Sequence, residues 1–218
     1  MAGFNVSQAD NYGGQGGGGF FSLRGDGDVA RVRILYEGVD DVTGYSVHEV
    51  DLGGKKRYVN CLREYGDPVD ACPFCRDGKF TQVKYFVPIY NMDTQSMQTW
   101  ERGKKFGSKL TSICSRFPNV VSHTFEIERN GKPGDQTTTY EVYETGVTEG
   151  VTLDQFEVPN PLGTIILDKT ADEMETFLRT GDFDGSAPQR RESSANTQQS
   201  SGYSRRTPAT GTGRREAF

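Results

Sequence analysis

Three of the four cysteines fall within fifteen residues, and that cluster constrains the fold more than any other feature of the chain. Cys72-Pro73-Phe74-Cys75 is a CxxC knuckle, which aims two sulfurs at one point. Cys61 stands ten residues before it, and His48 twelve residues before Cys61, so the pattern is His-x12-Cys-x10-Cys-x2-Cys. Zn²⁺ takes four nitrogen or sulfur ligands in a tetrahedron, and a Cys3His set leaves no position for water. The reading is one structural zinc held by His48, Cys61, Cys72 and Cys75. Three alternatives stand beside it: a redox CxxC, a disulfide framework, and free core thiols. The redox motif ordinarily opens a helix, and nothing in the sequence predicts a helix after Cys75. His123 is a rival fourth ligand. Cys114 lies on an apolar helical stripe and reads as core.

Residues 48–80 carry few large apolar side chains and many turn formers, so metal binding would supply folding free energy that the segment lacks. The subdomain then presents Lys55, Lys56, Arg57, Tyr58, Arg63, Arg76, Lys79 and Phe80.

The net charge of −5 conceals a strong division. Residues 55–116 hold twelve basic and six acidic groups, whereas residues 117–184 hold four basic and fourteen acidic ones. Residues 185–218 are net +4, and residues 1–54 net −5. Positive charge concentrated in one region suits a polyanion despite an acidic whole. Hydrophobic residues make up only 33%, enough for one core of modest size but not for order from end to end. Residues 1–19 read as a flexible Gly-rich arm. Gly14, Gly16 and Gly19 formally match a dinucleotide fingerprint but lack its strand and helix. Arg24-Gly25-Asp26 reads as a turn. Residues 185–218 read as a disordered basic tail. No membrane span and no signal peptide are visible, so a soluble, cytoplasmic protein is expected.

Between the ends, alternation predicts strands at Val29–Leu35, Tyr45–Val50, Lys56–Leu62, Val83–Tyr90, Met97–Glu101, Ser122–Arg129 and Thr137–Thr145. Phe106, Leu110, Ile113, Cys114 and Phe117 form one helical stripe stopped by Pro118. A second helix is predicted over about Ala171–Arg179, with capping-box spacing at Thr170 and Glu173 and Gly181 after its end. The expected fold is mainly β: an OB-fold-like five-stranded Greek-key barrel over 20–184, with a zinc subdomain inserted at about 48–80 and a few short helices.

From Lys55 to Lys109 basic residues interleave with rings. Single-stranded nucleic acid offers a phosphate at every step and exposed base faces, and cations with stacking rings match both. The candidate contacts are Arg31, Arg33, Lys55, Lys56, Arg57, Tyr58, Lys79, Lys84, Tyr85, Trp100, Arg102, Lys104, Lys105 and Lys109. Tyr58, Tyr85 and Trp100 are the preferred rings. The competing reading is that alternating strands place one ring in the core for each charge in water. Scattered carboxylates, two histidines and no catalytic motif argue against an enzyme.

The ligand spacing resembles that of the helix-destabilising single-stranded DNA-binding proteins of T-even bacteriophages. So do Phe20-Phe21-Ser22-Leu23-Arg24, Ala30-Arg31-Val32-Arg33-Ile34-Leu35 and the basic helix beginning near Lys104. The resemblance covers about residues 20–180. It implies an OB fold with a zinc subdomain, His48, Cys61, Cys72 and Cys75 as ligands, and a DNA strand in the cleft between the two parts. Two departures are plain. Residues 1–19 contain no Lys or Arg where the family has a basic arm, and residues 185–218 are basic where the family has an acidic tail. Arg190-Arg191, Arg205-Arg206 and Arg214-Arg215 punctuate that tail, which ends in Phe218.

The expected function is sequence-nonspecific coating of single-stranded DNA exposed in phage replication, recombination and repair. Other replication proteins, such as a polymerase, a helicase or its loader, would dock on the acidic 141–184 region or the tail. An RNA-binding translational repressor, a zinc-dependent nuclease and a protein-interaction scaffold remain as alternatives.

Overall fold

Glycine turns and alternating side chains set the strand pairing. The computed structural model describes residues 19–185. The arm read over 1–19 and the tail read over 185–218 lie outside the described residues except for Gly19 and Gly185.

β1 (Gly19–Phe20) and β2 (Val29–Ile34) open the chain, followed by β3 (Tyr45–Leu52) and β4 (Lys55–Asn60). Gly53 and Gly54 join β3 to β4 with φ of 61° and 85°, the mirror-image turn that follows strand twist. Asp51 Oδ1 accepts from Gly54 N at 2.7 Å there, and pins the register Leu52 to Lys55. A one-turn helix α1 (Pro73–Arg76) leads to β5 (Thr81–Asn91) and β6 (Ser96–Gly103). Asn91 Oδ1 accepts from Asp93 N and Thr94 N, closing the expected turn between them. The remaining elements are α2 (Gly107–Arg116), β7 (His123–Asn130), β8 (Thr139–Val147), β9 (Ile166–Leu167) and α3 (Ala171–Thr180).

The eleven-residue β5 organises the sheet. One edge pairs first with β3, through Thr81–Lys84, and then with β2, through Ile89–Asn91. The other edge pairs with β6 from Lys84 to Asn91. The order is β8-β7-β2-β5-β3-β4-β9, with β6 and then β1 on the other edge of β5. β1–β6 and β4–β9 are parallel, and the other pairs antiparallel. The protein is thus mainly β with a few short helices, as expected. The sheet is mixed and has nine strands rather than five, and no pairing among the described residues closes it.

The main core joins Val32, Ile34, Val87, Ile89, Trp100 and Phe125 to Leu110 and Ile113 of α2. A second core lies around the cysteines. There Val50, Val59 and Phe74 meet Met174, Phe177 and Phe183. The subdomain expected at 48–80 therefore recruits α3, whose Phe177 packs edge-on against Phe74 at 5.6 Å, and β9, which pairs with β4. The reason is the apolar shortage noted above: 48–80 cannot build a core alone. Thr170 and Glu173 form the predicted capping box, and Gly181 ends α3 with φ of 82°. Residues 148–165 cross the opposite face of β5, where Phe156 meets Tyr90, and Leu162 and Ile165 approach Phe86.

Candidate metal centre and nucleic-acid interface

Three local structures bring the four metal-ligating candidates together. Midway along β3 both faces are covered, so His48 points into the second core while Val47 packs towards Phe86. Cys61 follows the end of β4, and its N donates to Ser46 O. Cys72 precedes α1 in an extended conformation, and Pro73 occupies the first helical position, where its missing N–H is harmless. The CxxC is therefore itself a helical turn, which the sequence reading did not foresee. One turn places Cys72 and Cys75 on the same side.

The ligand atoms of His48, Cys61, Cys72 and Cys75 all lie within 4.8 Å of one another. His48 Nε2 is 3.5 Å from Cys72 Sγ and 3.6 Å from Cys75 Sγ, and Cys61 Sγ is 3.6 Å from Cys75 Sγ. On a tetrahedron, Zn–S of about 2.3 Å and Zn–N of about 2.0 Å require S···S near about 3.8 Å and S···N near about 3.5 Å. A disulfide requires S–S of about 2.05 Å, so these cysteines are free thiols. Convergence of four donors, rather than two, favours a metal over a redox pair. The cluster could hold a metal ion and is compatible with zinc.

The surroundings prepare the donors. His48 Nδ1–H donates to Phe80 O at 3.2 Å, which leaves Nε2 as the free lone pair. Burial holds His48 below its usual pKa and favours the neutral, ligating form. Burial, reinforced by Cys75 and Cys72, pushes the Cys61 thiol up to about 12. Burial also opposes ionisation of Cys75, but hydrogen bonds from Thr81 and Arg63 outweigh it and lower its pKa. Thr81 Oγ1 is 3.4 Å from Cys75 Sγ, and Arg63 Nη1 donates to that sulfur at 3.8 Å. Three thiolates around a divalent ion sum to −1, and Arg63 offsets that charge.

The structure divides the candidate nucleic-acid contacts. Arg33 is 7% exposed and donates to Val121 O, Ser122 O and Thr148 Oγ1. Trp100 is 1% exposed, with Phe106 and Tyr140 against its ring at 4.8 and 5.6 Å. Neither can meet a strand from these positions, which corrects the sequence reading: alternation marks a face but not which face is covered. Arg31 is held by Asp93, Lys56 by Glu49, Lys84 by Glu101 and Lys109 by Glu141. Lys79 lies 3.9 Å from Asp77 and over the Phe74 ring. Arg102 stacks on Tyr140 at 4.1 Å and Trp100 at 5.0 Å. Tyr58 donates to Glu101 and is half-buried against Phe86. Tyr85 is half-buried beside α2, where a Cβ on Gly107 would overlap its ring. Lys55 is exposed at the β3–β4 turn.

Lys104 and Lys105 are exposed on the turn before α2, and Arg57 is half-buried. None of these three has a side-chain partner among the described residues. The turn leaves β6 at Gly103, whose register partner Lys84 lies three residues along β5 from Thr81 at the metal centre. At about 3.4 Å per residue, roughly 10 Å of strand separates them. Two further rings stand in solvent on the candidate metal subdomain: Phe80, which the subdomain was expected to present and which is 78% exposed, and Tyr65, which was not foreseen. The available signal was their setting. Each is an aromatic among turn formers, Tyr65 before Gly66 and Phe80 after Gly78-Lys79, with no apolar face to join.

No protein-family model matches the chain, and a search of curated proteins finds no similar sequence. Among the described residues no helix is long and apolar enough to cross a membrane.

Proposed function

We propose that the chain binds single-stranded nucleic acid along the first half of β5, between the metal subdomain and the β6–α2 turn, without catalysing a reaction. The observation that carries this reading is that Lys104 and Lys105, on the turn that leaves β6 beside Lys84 of β5, and Arg57, on β4 one strand beyond β3, are cations with no carboxylate partner among the described residues. Phe80 sets an exposed ring beside the metal ligands. Cations supply phosphate contacts, and free rings supply stacking that a duplex cannot use. We take the bound ion as structural Zn²⁺, because four protein donors complete a tetrahedron. The strand shared by two half-sheets supports an OB-like reading of the fold. Single-stranded DNA is the preferred ligand, in phage replication, recombination and repair in the host cytoplasm, with replication proteins as partners.

Titration with poly(dT) at several salt concentrations tests the reading. Tight single-strand binding that weakens steeply with salt supports it; equal affinity for duplex, or no salt dependence, overturns it. Equal-length RNA in competition distinguishes the translational-repressor alternative. Cleavage of a labelled oligonucleotide on adding divalent metal would favour the nuclease.

A further inference from the structure

On the face of β5 crossed by residues 148–165 lies a cavity of about 340 Å³. Tyr36, Asp41, Thr43, Tyr45, Phe86 and Asn160 contribute its chemistry. Tyr36 is 6% exposed, yet its hydroxyl has no hydrogen-bond partner among the described residues. The Tyr45 hydroxyl likewise has none. Both hydroxyls therefore stand open to solvent or to a ligand, since among the described residues Arg63 Nε is the one fully buried side-chain nitrogen or oxygen without a partner. Asp41 Oδ2 accepts from Glu37 N at 2.7 Å and Gly38 N at 3.2 Å, while Oδ1 accepts nothing among the described residues. Among the described residues no lysine or arginine lines the cavity. Glu37 and Asp40, exposed on the same short segment as Asp41, have no side-chain partners among the described residues.

We propose that this cavity receives an arginine side chain presented by a basic peptide of a partner protein. A guanidinium is planar and stacks on aromatic rings, here that of half-buried Tyr45. It carries five donors, and the cavity offers the free Oδ1 of Asp41 with the Tyr36 and Tyr45 oxygens as acceptors. A nucleobase would also stack, but Glu37, Asp40 and Asp41 repel the phosphodiester that must accompany it. The proposal does not depend on the nucleic-acid reading, since none of the cavity's lining residues is among Arg57, Phe80, Lys104 and Lys105, which carry that reading.

The test uses the full chain and a fluorescein-labelled Gly-Arg-Arg-Gly peptide, with citrulline replacing arginine as the neutral control, read by fluorescence anisotropy. The arginine peptide binds, and the citrulline peptide binds at least tenfold more weakly. Asp41→Asn keeps an acceptor for Glu37 N and Gly38 N and weakens the arginine peptide at least tenfold. Val158→Trp, which fills the cavity from the opposite wall, does the same and serves if Asp41→Asn lowers the melting temperature. Glu149→Gln, an acid outside the cavity, changes nothing. The proposal is overturned if the arginine peptide does not bind, if citrulline binds equally, or if the cavity variants leave binding intact. It is also overturned if Glu149→Gln weakens binding as much, or if Asp41→Asn weakens dT10 binding tenfold.

Discussion

Trp100 fills the centre of the main core, where it meets Phe21 edge-on at 5.9 Å. Trp100→Ala is expected to cost about 3–5 kcal/mol in denaturant unfolding, through lost burial and the cavity left behind. Phe80 touches mainly solvent, so Phe80→Ala should leave stability within about 0.5 kcal/mol. It should weaken oligonucleotide binding by about 1–3 kcal/mol, the worth of one stacked base. Lys104 and Lys105 differ from both, because their contribution is ionic. Replacing the two with alanine should flatten the slope of log affinity against log salt by about 1.4, two single-strand phosphate contacts at about 0.7 each. A double variant with unchanged slope would remove these lysines from the interface.

At the scale of elements, α3 decides whether the metal subdomain has a core. Thr170→Ala removes the acceptor at the start of α3 and should cost about 1 kcal/mol in thermal unfolding. Glu173 adds a pH dependence. Lys169 and then the Thr170 backbone N–H hold its carboxylate below the ordinary value of 4.5. A depressed carboxylate pKa stabilises the fold above the ordinary value, and that contribution disappears as pH falls through the folded one. The melting-temperature difference between the parent chain and Glu173→Gln should therefore be present at neutral pH and vanish in acid. A difference independent of pH would mean that the Lys169–Glu173 pair, at 2.7 Å, contributes nothing electrostatic. β5 has a second role at this scale. By carrying Thr81 at one end and core residues Val87 and Ile89 further along, it makes the metal centre and the main core parts of one sheet.

For the whole molecule, metal content is the decisive quantity. One ion per chain is expected, and chelation should melt the segment around Cys61–Cys75 with α3, lower the melting temperature and weaken single-strand binding at least tenfold. His48→Ala should reproduce the chelated state without chelator. Metal-free protein that keeps its melting temperature and its affinity would refute the structural role of the ion.

What was legible from the chain alone follows from how local each signal is. The candidate ligands His48, Cys61, Cys72 and Cys75 could be named because few side chains bind metal and their spacing restricts how they converge. Seven strands and two helices could be placed within two residues at each end because periodicity is a property of neighbouring positions. The capping box at Thr170 spans only four residues. Burial of Trp100 and Arg33, the pairing of Lys84 with Glu101 and of Lys109 with Glu141, and the docking of α3 on Phe74 were decided only by tertiary structure. In each case the outcome depends on which distant segment covers a given face, and the α1–α3 contact joins residues about a hundred positions apart in the chain. Alternation tells a side chain which way to point; only the packed sheet decides whether it meets solvent, a carboxylate or another ring.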